Sequence, residues 1–140
     1  MKKLLVVLSF GYLILCTGCG TSKKLDCTKN QSLYEMTANE EISFIFQGDK
    51  IESATLKLTM TIAESSIDQI GSVYKKTEEY YNPESKVKGI EIHIEKKDSA
   101  VVMNMKVSPT KSNQRKTGIP EYTDYETALS YLKKQGYQCK

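Results

Sequence analysis

A chain of 140 residues that is 26% charged and 39% hydrophobic has the make-up of one ordinary folded domain, neither collagen-like nor strongly disordered. Its formal charge of +3 is too mild for a nucleic-acid binder, and Arg115, the lone arginine, excludes an arginine cluster for phosphate recognition. One histidine, His93, and no tryptophan leave little material for a histidine-rich metal site, and no cofactor is implied.

The chain opens with Met1-Lys2-Lys3, and an apolar run follows from Leu4 to Leu15. A helix needs about 20 apolar residues to span a bilayer, so this run is too short for a stable span. It has the basic and apolar regions of a secretory signal peptide. The next residues, Leu15-Cys16-Thr17-Gly18-Cys19, resemble the bacterial lipobox. That resemblance implies cleavage between Gly18 and Cys19 and lipidation of Cys19. The position three before the cysteine, which an aliphatic residue usually fills, is Cys16 here. The alternative is an ordinary secretory signal cut nearby, which would leave Cys19 a plain thiol.

Two or more acyl chains on Cys19 would hold the domain at the membrane, since each buried methylene contributes about 0.8 kcal/mol. The expected organisation is a leader over 1–18, a lipidated tether over 19–25 and one domain over 26–140. Loss of Lys2 and Lys3 with the leader lowers the formal charge from +3 to +1, so no electrostatic partner follows from the total.

Cys27 and Cys139 remain, near opposite ends of the folded part. Outside the cytoplasm disulfides persist, and domain termini often lie close together, so a structural Cys27–Cys139 disulfide is expected. A reactive thiol or a metal ligand is the alternative, which the absence of C-x-x-C spacing disfavours.

Asp26 to Met36 is a weak strand candidate. Ile42, Phe44 and Phe46 then alternate with Ser43, Ile45 and Gln47, and after a Gly48-Asp49 turn Leu56, Leu58, Met60 and Ile62 alternate with polar residues. The two segments predict an antiparallel hairpin. Ser65 and Ser66, with Asp68 and Gln69 three residues on, suggest capping of a helix through Ile67, Ile70, Val73, Tyr74, Thr77 and Tyr81. Asn82-Pro83 is expected to end it.

Ile90, Ile92 and Ile94, then Val101, Met103, Met105 and Val107, predict a second hairpin. Residues 108–122 carry two prolines, one glycine and no period, and read as a long loop of functional interest. Thr123-Asp124-Tyr125-Glu126 reads as another capping box that opens a terminal helix with Ala128, Leu129 and Leu132 on its buried stripe, and Gly136 suits its end. The tail after it could add a short edge strand. The order β-β-β-α-β-β-α gives an α+β fold: a single antiparallel sheet with two helices packed on one face.

The lipobox, the Phe46-Gln47-Gly48-Asp49-Lys50-Ile51 hairpin and the ending Ala128-Leu129…Leu132…Gln135-Gly136-Tyr137 together resemble the small YehR-like bacterial lipoproteins. The resemblance implies an α+β lipoprotein of unknown function and transfers no catalytic residues.

Glu91, His93 and Glu95 share one polar strand face. Alternate strand residues lie nearly 7 Å apart, too far for one strand to close around a metal ion, so a solvated charged face is expected. Tyr74, Tyr80, Tyr81, Tyr122, Tyr125, Tyr131 and Tyr137 suit either an interface or the rim of a small core. Ser130 and Lys133 fall at Ser-x-x-Lys spacing but lack every accompanying motif. The expected role is a membrane-anchored binding or accessory module at the extracytoplasmic face of the cell membrane. It would contact an envelope protein or small ligand through the exposed sheet face or the 108–122 loop. The alternatives are an envelope hydrolase and a purely structural envelope component.

Overall fold

The computed structural model describes residues 21–140, so the expected leader and the lipidation positions Gly18 and Cys19 lie outside the described residues. The described part is an α+β domain built on one antiparallel sheet of six strands. In chain order these are β1 (Ser22–Leu33), β2 (Met36–Gln47), β3 (Lys50–Ile62), β4 (Ile90–Lys96), β5 (Ala100–Val107) and β6 (Gln138–Cys139). Their spatial order is β4-β5-β3-β2-β1-β6, with every neighbouring pair antiparallel. Three α-helices, not two, accompany them: α1 (Ile70–Ser85), α2 (Gln114–Thr117) and α3 (Tyr125–Lys134).

Strand periodicity sorts the two faces. Leu25, Phe44, Ala54, Val107 and Ile90 stand opposite one another across five strands and are all buried. Cys27, Ile42, Leu56, Met105 and Ile92 form the next row of the same face. Ala128 and Leu132 of α3 close over this face, with Tyr81 of α1 half-buried beside them. Phe46 meets Phe44 and Tyr125 edge to face, at ring-centroid distances of 6.1 and 5.7 Å. A bulge keeps this corner apolar: Ile45 opposes Ser53 while Phe46 opposes Ile51, so Glu52 is the extra residue. The parity change turns Ile51 inward with Ala54.

Several boundaries differ from the sequence expectation. β1 starts at Ser22, inside the stretch expected as tether, because β2 is long enough to pair Ser22 with Gln47 and Lys23 with Phe46. Leu25 is thereby fully buried in the core. Ser65 and Ser66 cap no helix. Glu64–Gln69 is a 3-10 segment whose entry has no side-chain cap, and Ser66 is buried in it. α1 continues past Pro83 to Ser85. A proline near the end of a helix removes only one hydrogen bond, the one to the Glu79 carbonyl, so the helix survives two residues further.

α3 forms where expected, but its cap is not the expected Thr123–Glu126 box. Asp124 is its N-cap, and the Thr127 N–H and hydroxyl both donate to the Asp124 carboxylate at 2.8 Å. Those bonds, the backbone one first, hold the Asp124 carboxyl below the usual carboxylate range. Gly136 takes φ +87° after the helix end, the left-handed geometry that glycine adopts without strain.

The 108–122 segment is ordered in place of the long loop expected. It holds the short helix α2 and is tied to the start of β3 by a Lys50–Tyr122 bridge and an Ile51 N–H to Glu121 carbonyl bond of 2.9 Å. Its anchor is Asn113, which is 0% exposed.

Candidate functional site

The opposite face of the sheet carries the odd-numbered residues of β2 and their partners, and its rows can be read straight from the pairing. One row runs Asp26, Ser43, Thr55, Lys106, Glu91, and the next runs Thr28, Glu41, Lys57, Asn104, His93. Together with Lys24, Ile45 and the C-terminal Lys140 they line an open trough of about 880 Å³. All of its lining comes from strands β1 to β5 and Lys140, and none from a helix. α1 and α3 pack on the other face, which leaves this one open.

Charges of both signs alternate across the trough. Lys57 Nζ lies 3.2 Å from Glu41 Oε1, and Lys24 Nζ lies 3.0 Å from Asp26 Oδ2. A hydrogen bond from the Ser43 side chain holds the Asp26 carboxyl below its ordinary range, with Lys24 adding to the effect and partial burial opposing it. Lys106 stands opposite Glu91 in the register. Both ion pairs are largely exposed, so their value is in recognition and not in stability.

Glu91 and His93 border the trough, and Glu95 lies beyond its lining. Among the described residues, no three His, Cys, Asp or Glu side chains converge to hold a metal ion. Ser130 and Lys133 are both exposed on α3, away from the trough. Tyr80, Tyr122 and Tyr131 are exposed, while Tyr81, Tyr125 and Tyr137 are half-buried against the core cluster. Cys27 and Cys139 are paired across β1 and β6, with sulfurs 2.01 Å apart.

Charged groups also sit on the apolar face, where Lys29 opposes Glu40 and Lys23 opposes Phe46. Glu40 shares the parity of Ile42 and Phe44, and there the Tyr137 hydroxyl and the Gln31 side-chain amide donate to its two carboxylate oxygens. Burial, then the bond to Glu40, pushes the Tyr137 hydroxyl well above its ordinary value. Burial first, with Tyr80 and Glu40 adding, does the same to Tyr81. A folded-state pKa raised in this way gives stability that is complete below the unfolded tyrosine value and lost as pH rises through the folded one. Tyr137→Phe is therefore expected to lower the denaturant midpoint at neutral pH and to flatten its pH dependence above about pH 10. Denaturant titrations across that range check this, and an unchanged alkaline slope in the variant would contradict it.

No protein-family model and no curated relative matches the chain. In fold it is similar to a protein from Streptococcus pneumoniae TIGR4 whose structure was determined by NMR, with a TM-score of 0.54 and 11% sequence identity over 100% of this chain and 98% of the other. That likeness bears on the fold alone. No helix among the described residues is long and apolar enough to cross a membrane.

Proposed function

We propose that this protein is a lipid-anchored binding module of the bacterial envelope, held by Cys19 and recognising a protein partner with the polar face of its sheet. The observation that carries the reading is the trough: a face free of helices, with Lys24, Lys57 and Lys106 set among Asp26, Glu41 and Glu91. Small-molecule sites are mostly enclosed, whereas this surface is open, with side chains of alternating charge over an apolar floor that includes Ile42, Leu56 and Met105. Such patterning fixes register and excludes wrong partners, which suits a protein surface of complementary charge. The basic start, apolar run and Gly18-Cys19 step support the anchor, as does the resemblance to YehR-like lipoproteins.

A photo-crosslinking amino acid in place of Thr55, in the middle of the trough, tests this in intact cells. A discrete adduct is expected from that position and not from Tyr80 on α1. The adduct should disappear in a Lys57→Glu, Lys106→Glu background. Equal labelling from both positions, or an adduct indifferent to the charge reversal, would remove the face from the reading. An envelope hydrolase is the second reading, favoured only by the placement of Glu91 and His93 on the trough.

A further inference from the structure

We infer that the end of the sheet at Ser22 lies against an anionic lipid surface, with Lys86, Lys88, Lys111, Arg115 and Lys116 over the headgroup phosphates. The inference rests on the anchor at Cys19. Three peptide steps separate Cys19 from Ser22, the first residue of β1, and reach about 10 Å at full extension. A lipidated Cys19 therefore leaves almost no tether and keeps that end of β1 at the bilayer surface.

The pairing shows what else lies there. Ser22 opposes Gln47, so the Gly48-Asp49 turn is at the same end. β5 finishes at this end and β4 begins there, since Ile90 and Ala54 both oppose Val107. The link 86–89 before β4 and the segment 108–122 after β5 are therefore gathered on the side of the anchor. Those two segments carry the five named cations, all exposed. Among the described residues none of the five is ion-paired.

The far end is different in sign. Its turns and the 3-10 segment hold Glu35, Glu64, Asp68 and Asp98 against Lys96 and Lys97. Asp49 and Glu121 lie at the anchor end too, Glu121 beside Lys50, but the five named cations outnumber them, so the domain is more basic toward the anchor. Basic residues close to an anionic leaflet are attracted to it, and the attraction fades within a Debye length of about 8 Å, so it acts only on groups held this near. Tyr122, 62% exposed at the same end with the Lys50 ammonium 6.0 Å from its ring centre, has the amphipathic character of an interfacial aromatic. The Asn113 side chain bonds the carbonyls of Lys88 and Ser108, so the two basic segments are presented as one fixed surface.

The test uses the full lipoprotein, produced with its leader and reconstituted into phosphatidylcholine vesicles with and without phosphatidylglycerol. Flotation reports the anchor, and hydrogen exchange over 84–90 and 108–118 reports the basic surface. Flotation is expected with both vesicles, and exchange in the two segments about tenfold slower only where phosphatidylglycerol is present, the effect of one or two basic contacts. High salt should erase the difference, as should a Lys86→Glu, Lys88→Glu, Lys111→Glu, Lys116→Glu variant whose urea midpoint is first matched to the parent. Flotation with both vesicles but equal exchange overturns this inference and leaves the anchor standing. Failure to float with either removes the anchor and the inference with it. Protection that requires an added acidic protein instead of lipid also overturns it.

Discussion

Replacing Asn113 by alanine is expected to destabilise the domain by about 3 kcal/mol, because three backbone groups lose their bond to this buried side chain together. The Asn113 Oδ1 accepts from the Thr110 N–H at 2.9 Å, and its Nδ2 donates to the Ser108 carbonyl at 2.9 Å and the Lys88 carbonyl at 3.2 Å. One side chain thus closes the turn that opens α2 and ties it to the link between α1 and β4. Asn113→Asp keeps the shape but aims a carboxylate oxygen at two carbonyl oxygens. It should cost a similar amount at neutral pH, and the loss should shrink in acid as the new carboxyl takes up a proton and becomes a donor.

Gly89 belongs to the same joint. Its φ is +84°, and a Cβ there would meet Asn113 Nδ2 and the Ser108 carbonyl oxygen, each at 3.0 Å. Gly89→Ala should cost about 1–2 kcal/mol for the left-handed backbone, with the displaced Asn113 amide adding to it. The double variant should lose less than the sum of the two, since each change breaks the same bonds. Urea unfolding midpoints of the four proteins decide it. Strict additivity would show that Gly89 and Asn113 act independently.

That joint was not legible in the sequence, and the reason is physical. Residues 108–122 have no period, and their order comes from Asn113 reaching back to Lys88, a contact across 25 positions. A Thr-x-x-Asn turn at Thr110 to Asn113 was the one local sign of it. Alternation, by contrast, placed β2, β3, β4 and β5 well, because each buries one face and leaves one wet. The same rule set Glu91 and His93 on the polar face. It could not show that this face becomes a trough, because that depends on β5 lying between β3 and β4, so that Lys106 stands between Thr55 and Glu91. Helix ends were misread where local signals met tertiary demand. Ser66 would cap a helix by its side chain, but its place in the fold is buried, with its N–H given to the Ala63 carbonyl. Glu40 carried a usable sign in its parity with Ile42. Its partner Tyr137 is 97 residues away, and nothing local announces that pairing.

Breaking the Cys27–Cys139 link is expected to cost about 4–5 kcal/mol, the chain-entropy value for a closed loop of roughly 100 residues, and the separation here is 112. The two ends of this bridge differ, which allows the crosslink to be separated from packing. Cys27 is 1% exposed within the core cluster, while Cys139 is half-buried on a two-residue edge strand. Cys139→Ser therefore removes the crosslink and frees β6, whose remaining ties to β1 include the Lys140 N–H bond to the Asp26 carbonyl at 2.9 Å. Cys27→Ser removes the same crosslink and also places a hydroxyl among Leu25, Phe44 and their neighbours, so it should fall further. Because β1 also leads toward the proposed anchor at Cys19, the bridge would brace the strand through which a pull there reaches the sheet. Unfolding in denaturant, with and without a reductant, provides the check. The parent should lose most of its margin on reduction and then match Cys139→Ser, with Cys27→Ser below both. A parent whose midpoint ignores the reductant, with both thiols confirmed free, would mean that the pairing of β1 with β6 and the core hold the fold without the staple.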